Sequence, residues 1–162
     1  MPLLELPHSA GCLVCGKQNP HGLQLSLFVD DASGEVRCDF TPSKYHIGFE
    51  NISHGGAIAS AVDEAMVWAA TWRAKRFCLC GELTVRFRHP MSINQPLLII
   101  AIVEFSRHKL VETAAKIFDA GDQKLLGTAS AKYVPVSPEQ HKQFFATMLD
   151  NPATAAAKEM LK

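Results

Sequence analysis

The 162-residue sequence has no excess of charge of either sign: Lys and Arg total 16, Asp and Glu total 16, and the net charge is zero with neutral histidines. Without a basic balance there is no electrostatic reason to expect nucleic acid or an anionic membrane as partner. No segment reads as a good membrane span, because the most apolar stretch, Gly55 to about Arg73, is short and has two adjacent acids at its centre. The start, Met1-Pro-Leu-Leu-Glu-Leu-Pro7, lacks a positive leader before an apolar run, so a signal peptide is not expected. Cysteines number five, an odd count without a secretory signal, which favours free thiols in a reducing cytoplasm. Repeats, linkers and low-complexity stretches are also missing, so one domain is expected over residues 1–162, long enough to bury a core without staples.

What is present is a clear alternation of patterns. Residues 1–22 are punctuated by Pro2, Pro7, Gly11, Gly16, Pro20 and Gly22 and read as an irregular lead-in. Leu23, Leu25, Leu27 and Val29 alternate with polar residues, a turn follows at residues 30–34, and Val36, Cys38 and Phe40 alternate again, which predicts a hairpin. Residues 41–54 have no period and form a long loop, a feature that is often functional. From Gly55 the apolar residues point all round a helix, so the rest of the protein must enclose it. Strands are expected at Leu79–Arg88, in the β-branched run Leu97–Val103, and at Leu110–Asp119 and Lys124–Val134, with short connections making them antiparallel neighbours. In the first of these, Leu79, Gly81, Leu83, Val85 and Phe87 share one face and Cys80 lies on the other. Ser137-Pro138-Glu139-Gln140 reads as a capped helix start, and a short helix is expected after Pro152. The core thus spans 23–135 and a helical tail 136–162. The order suits an α+β fold, an antiparallel sheet curled around one enclosed helix.

Between Gly55 and Thr71 the only ionisable side chains are Asp63 and Glu64. Neighbouring helix positions differ by about 100°, so the two cannot share a pocket. A carboxylate in apolar surroundings needs a hydrogen-bond partner or a raised pKa, which marks a candidate base or nucleophile. The alternative is that both acids reach solvent or pair structurally. Gly55-Gly56 opens the same helix, where unpaired amides and the helix dipole favour negative charge, as an oxyanion hole requires. An ordinary close-packed helix entry is the other reading.

The run His46-Ile-Gly48-Phe49-Glu-Asn51-Ile-Ser-His54-Gly55-Gly56-Ala-Ile-Ala-Ser-Ala-Val-Asp63-Glu64 resembles the signature of the PaaI-like hotdog acyl-CoA thioesterases. Cys12-Leu-Val-Cys15-Gly16-Lys-Gln-Asn19-Pro20-His-Gly22-Leu23 resembles the lead-in of many such proteins, and Leu83-Thr-Val-Arg-Phe-Arg-His-Pro90 the strand after the helix. The resemblance implies a hotdog fold that hydrolyses an acyl-CoA thioester. Asp63 would be the nucleophile or the base activating water, the Gly55 amide would polarise the carbonyl, and His54 would shape that end of the site. Gly56, Asn51, Gly48, Cys80 and Glu64 are the candidate substrate-binding residues. The resemblance also implies a homo-oligomer, a dimer or dimer of dimers, with the site at the subunit interface. Gly48 stands where several relatives have asparagine, with Asn51 the nearer substitute, and Cys80 stands where a Ser or Thr is usual.

No cofactor and no metal is expected. Cys12 and Cys15 have zinc-ligand spacing, with His21 or Cys78 and Cys80 as possible completions, but one C-x-x-C alone favours two buried thiols. Gly11–Gln18 falls short of a phosphate-binding loop, since Gln18 replaces the hydroxyl residue and Asn19-Pro20 blocks the helix. Nothing in the sequence orients a Cys80–His54 nucleophilic pair. Trp68 and Trp72 read as core. The rival readings are a hotdog protein that binds an acyl-CoA or aromatic ligand without turnover, a hotdog dehydratase, and a zinc-containing interaction module.

Overall fold

The expected enclosed helix is α1 (Gly55–Ala74) of the computed structural model, which describes residues 3–162; Met1 and Pro2 of the lead-in lie outside them. Its Ile58, Ala61, Val62, Ala65, Met66, Ala69 and Ala70 are fully buried on several sides of the cylinder. Burying a side chain the size of Ile58 or Met66 contributes roughly 1.5–3 kcal/mol, so the all-round apolar sequence is what holds α1 inside. The helix ends where Lys75 turns left-handed (φ 52°), and its ammonium covers the Trp72 ring at 3.8 Å.

The strands in chain order are β1 (Leu4–Glu5), β2 (Leu27–Val29), β3 (Val36–Phe40), β4 (Ile47–Phe49), β5 (Ile52–Ser53), β6 (Cys78–Phe87), β7 (Leu97–Arg107), β8 (Leu110–Asp119) and β9 (Leu125–Pro135). Seven form one antiparallel sheet in the order β1-β2-β3-β7-β8-β9-β6, and α1 packs against β3, β6, β7, β8 and β9. The β-branched run is central, as expected, with Leu97, Ile99 and Ala101 turned to the core. Two helical pieces follow: α2 (Pro138–Ala146), with the expected capping box of Ser137 and Gln140, and α3 (Ala155–Glu159) after a single turn at Pro152–Thr154. From α2, Phe144 and His141 pack on Phe77, which in turn meets Trp68 of α1 edge-on.

Four expectations are revised. The strand expected from Leu23 begins only at Leu27, because Gln24 has a positive φ of 53° and the Leu23 and Leu25 amides donate to Leu13 O and Val14 O of the lead-in instead. Residues 3–22 of the lead-in supply β1. The loop 41–54 contains a capped turn at Lys44–His46 and the β4–β5 hairpin, whose short range hides any period. Finally, β6 does not neighbour β7. It pairs with β9 at the far end of the sheet and leaves its other edge unpaired among the described residues.

Candidate active site

Asp63 sits midway along α1, half-buried, where the helix crosses β9. Its Oδ1 accepts a hydrogen bond from the Tyr133 hydroxyl at 2.6 Å, and the same hydroxyl lies 3.1 Å from the Asp63 carbonyl oxygen. Tyr133 is itself wholly buried, and burial followed by the bond to Asp63 pushes its phenol well above the usual range. It therefore stays protonated and serves as a permanent donor to the carboxylate. Sequence reading missed Tyr133. The signal was its place on the core-facing alternation Ala129, Ala131, Tyr133, since a buried phenol needs a partner.

The other polar feature is the entrance of α1. His54 is the N-cap, and its Nδ1 accepts from the Gly56 N–H at 2.9 Å. That bond satisfies the Gly56 amide and leaves the Gly55 N–H without a partner among the described residues. The backbone of His54 is held by its N–H donating to His46 O at 2.7 Å. Gly48 lets β4 lie against this point, for a Cβ there would stand 3.1 Å from the His54 Cα. Gly48 thus positions the helix entrance through packing. Asn51 lies in the exposed β4–β5 turn, where its carbonyl accepts from Ile93 N–H and its side chain bonds to no described group. A cleft of about 410 Å³ opens beside the Gly55 amide, walled by Phe49, Ile52, Ile58, Phe87 and Met91 with Arg88 and His89 at its rim. An apolar wall ending at a free amide suits an acyl carbonyl or a similar polar head on an apolar stem.

Cys80 reaches the site through an irregularity of β6. Cys80 pairs with Tyr133 and Glu82 with Lys132, so Gly81 is an extra residue that forms a β-bulge. One extra residue exchanges the two faces of everything before it. Leu83, Val85 and Phe87 pair with the core-facing Ala131, Ala129 and Gly127, and the bulge brings Cys80 to that same face. This overturns the regular alternation: Leu79 turns outward, 53% exposed, and the Cys80 thiol turns toward Asp63. Partial enclosure and then the charge of Asp63 raise the Cys80 thiol above its ordinary value, which keeps it a neutral neighbour rather than a nucleophile.

Glu64 stands apart from the group it was assigned to on sequence grounds. One helix position from Asp63, it turns toward the lead-in, where its Oε1 accepts from Trp68 Nε1 at 3.2 Å and the Cys12 Sγ lies 3.8 and 3.9 Å from its two oxygens. Burial, followed by the charge of Cys12, pushes Glu64 up to about 7. The Cys15 thiol draws the Cys12 thiol down to about 5, helped by the amides of Cys15, Val14 and Gly16, while Cys15 itself is raised by that same bond and by burial.

Asp63, Tyr133 and Cys80 form one cluster, His54, Gly55, Gly56 and Gly48 a second. Residues 50–126 match the family model described as the thioesterase superfamily. That segment is similar to the thioesterase superfamily. The hotdog fold is shared with solved structures. The PaaI protein of E. coli, from the phenylacetic acid degradation operon, superposes with a TM-score of 0.64 at 17% identity over 71% of this chain and 81% of its own. An acyl-CoA hydrolase from Staphylococcus aureus, solved with butyryl coenzyme A, coenzyme A and coenzyme A disulfide, gives 0.62 at 16% identity over 67% and 66%. In sequence, the chain is 28% identical over 126 residues to the acyl-coenzyme A thioesterase THEM4 of Xenopus laevis, a match covering 75% of this chain. It spans about half (54%) the length of that relative. Among the described residues, no helix of this chain is long and apolar enough to cross a membrane.

Proposed function

We propose that the protein hydrolyses an acyl-CoA thioester to the free acid and CoA, with Asp63 as base or nucleophile and the Gly55 amide polarising the carbonyl. The observation that carries this reading is the pairing of a carboxylate oriented by a buried tyrosine with a free helix-entrance amide at the mouth of an apolar cleft. The hydrolases and thioesterases among its relatives support the substrate class. No residue of the cluster requires a cofactor for this chemistry.

The helix separates the two functional groups. Gly55 and Asp63 are eight positions apart, about 12 Å along the axis, whereas a reacting carbonyl must lie about 3 Å from both the base and the oxyanion donor. One chain therefore does not complete the site. We propose that two copies pair through the open edge of β6, so that Asp63 of one faces the partner subunit's Gly55. Leu79 and Val134, both about half exposed on the outer face, and Phe87, 49% exposed beside Gly55, supply apolar surface at this edge.

The test is release of CoA from a panel of acyl-CoAs. Wild-type protein turns over at least one of them, and Asp63→Asn lowers kcat by at least about 100-fold. A panel with no turnover, or full activity in Asp63→Asn, would sink the proposal. Saturable binding without hydrolysis would favour a ligand-binding hotdog protein instead.

A further inference from the structure

The proposed hydrolysis leaves Cys12, Cys15 and Glu64 without a task. The lead-in carries Cys12-Leu-Val-Cys15-Gly16, folded as a tight turn in which the Gly16 N–H donates to Cys12 O at 3.1 Å. The Val14 N–H points at Cys12 Sγ from 3.4 Å, so a backbone dipole faces the sulfur and favours a thiolate. Only glycine fits at position 16, since a Cβ would stand 2.5 Å from Cys12 O and 2.6 Å from Ala10 O. The turn is anchored at its back by Leu23 N–H and Leu25 N–H donating to Leu13 O and Val14 O, both at 2.8 Å. Cys15 and Val14 are buried.

Glu64 meets this turn from α1, more than fifty residues away in sequence. The two sulfurs and a Glu64 oxygen all lie within 4.8 Å of one another. Tetrahedral zinc with Zn–S of about 2.3 Å and Zn–O of about 2.0 Å places its ligand atoms about 3.5–3.8 Å apart. The separations between Cys12 Sγ and the Glu64 oxygens, 3.8 and 3.9 Å, already approach that spacing. The Trp68 indole N–H holds Glu64, as a supporting donor holds a ligating carboxylate. Three acidic groups crowd one partly enclosed place with no basic side chain bonded to any of them among the described residues, and a divalent cation is the partner that such a set lacks.

We infer that Cys12, Cys15 and Glu64 form a binding site for a divalent borderline-soft metal ion, zinc by the choice of ligands, which fastens the lead-in to the centre of α1. Two thiolates and a carboxylate supply three ligands, and the half-exposed Cys12 side leaves the fourth position to water. As the ion binds, whatever protons the two thiols and Glu64 still carry are released to solvent. The site lies about 100° round α1 from Asp63 and takes no part in the proposed hydrolysis.

The test uses the full chain, expressed with zinc in the medium and then desalted. About one zinc per chain is expected in the wild type, and a several-fold loss in both Cys12→Ser and Cys15→Ser. Cys80→Ala, which removes a thiol outside the site, retains its zinc. Because the serine variants risk misfolding, a second measurement uses the wild type alone. After chelation, cobalt(II) is added, and the expected signature is a near-ultraviolet thiolate-to-cobalt charge-transfer band with visible bands of tetrahedral geometry. Zinc added to the chelated protein should raise its Tm. Wild-type protein that keeps no zinc after desalting and shows no cobalt–thiolate band would overturn the proposal, whether or not acyl-CoA is hydrolysed. So would a Cys12→Ser, Cys15→Ser double variant that keeps its zinc and the wild-type spectrum.

Discussion

At the scale of single residues, Tyr133 is a core position that also bonds the carboxylate of the proposed reaction. Its hydroxyl is the one described side-chain donor to Asp63, and hydrogen bonds to charged groups are worth about 1.5–3 kcal/mol. Tyr133→Phe keeps the ring and the packing but frees the carboxylate to rotate. We expect kcat to fall about 10-fold with KM little changed, because the residue positions Asp63 and does not touch substrate. Steady-state kinetics on the acyl-CoA that wild type hydrolyses best will measure this split; a change confined to KM would remove Tyr133 from the positioning role. Thr113 is the opposite case. Its Oγ1 is buried on the core face of β8 with no hydrogen-bond partner among the described residues. Thr113→Val removes an unsatisfied hydroxyl at nearly constant shape, so a stabilisation of about 1 kcal/mol is expected. This would appear as a Tm rise of roughly 2–4 °C in thermal unfolding, and a fall would show that the hydroxyl is satisfied in solution.

At the scale of elements, the bulge in β6 is the decisive irregularity. A deletion of Gly81 sets Cys80 next to Glu82 with Cys80 still opposite Tyr133, so pairing with β9 becomes regular while Leu79 and Cys80 keep their faces. The Cys80 thiol should then stay beside Asp63 and keep its rate of reaction with an alkylating reagent. A faster alkylation would mean that the register of Cys80 against Tyr133 depends on the extra residue. The helix ends are governed by simpler chemistry. Ser137 accepts from Gln140 N–H at 3.2 Å while Gln140 reaches back to Ser137 N–H at 3.3 Å. Ser137→Ala should cost about 1 kcal/mol in denaturant unfolding, for lack of the cap. These caps were legible in sequence, because they involve residues three apart. The bulge was not, since an alternating strand looks the same with or without one extra residue until its partner is known.

At the scale of the whole molecule, the separation of Gly55 from Asp63 sets the question of assembly. Proline is tolerated at the first helical position, where Gly55 stands, and His54 already has the extended backbone (φ −63°, ψ 131°) that precedes proline. Gly55→Pro therefore removes the amide proton without disturbing the helix start, and only the exposed Phe87 ring, 3.3 Å from the new Cβ, has to shift. On its own it should lower kcat about 100–1000-fold, the usual cost of one oxyanion donor. Co-refolding Gly55→Pro with Asp63→Asn tests the shared site, because a mixed dimer has one site with both groups intact. Activity well above that of either variant alone is expected; no recovery in verified mixed dimers would place both groups in one subunit's site.

By itself the sequence determined the main elements and the motif on which the proposed chemistry rests: an apolar helix from Gly55 with a polar entrance, alternating strands around it, and Asp63 as its conspicuous acid. These rest on period, capping and steric rules that act within a few residues. Only the tertiary structure decided that Glu64 turns to Cys12 and Cys15, that Cys80 turns to Asp63, that Tyr133 holds the carboxylate, and that β6 ends the sheet. Each depends on register between segments tens of residues apart, which no local pattern records. His54, Gly48 and Asn51 lie between the two cases. Their spacing was visible in the chain, but the Nδ1 bond to Gly56, the close approach at Gly48 and the outward turn at Asn51 arise only when the β4–β5 hairpin docks on the helix entrance.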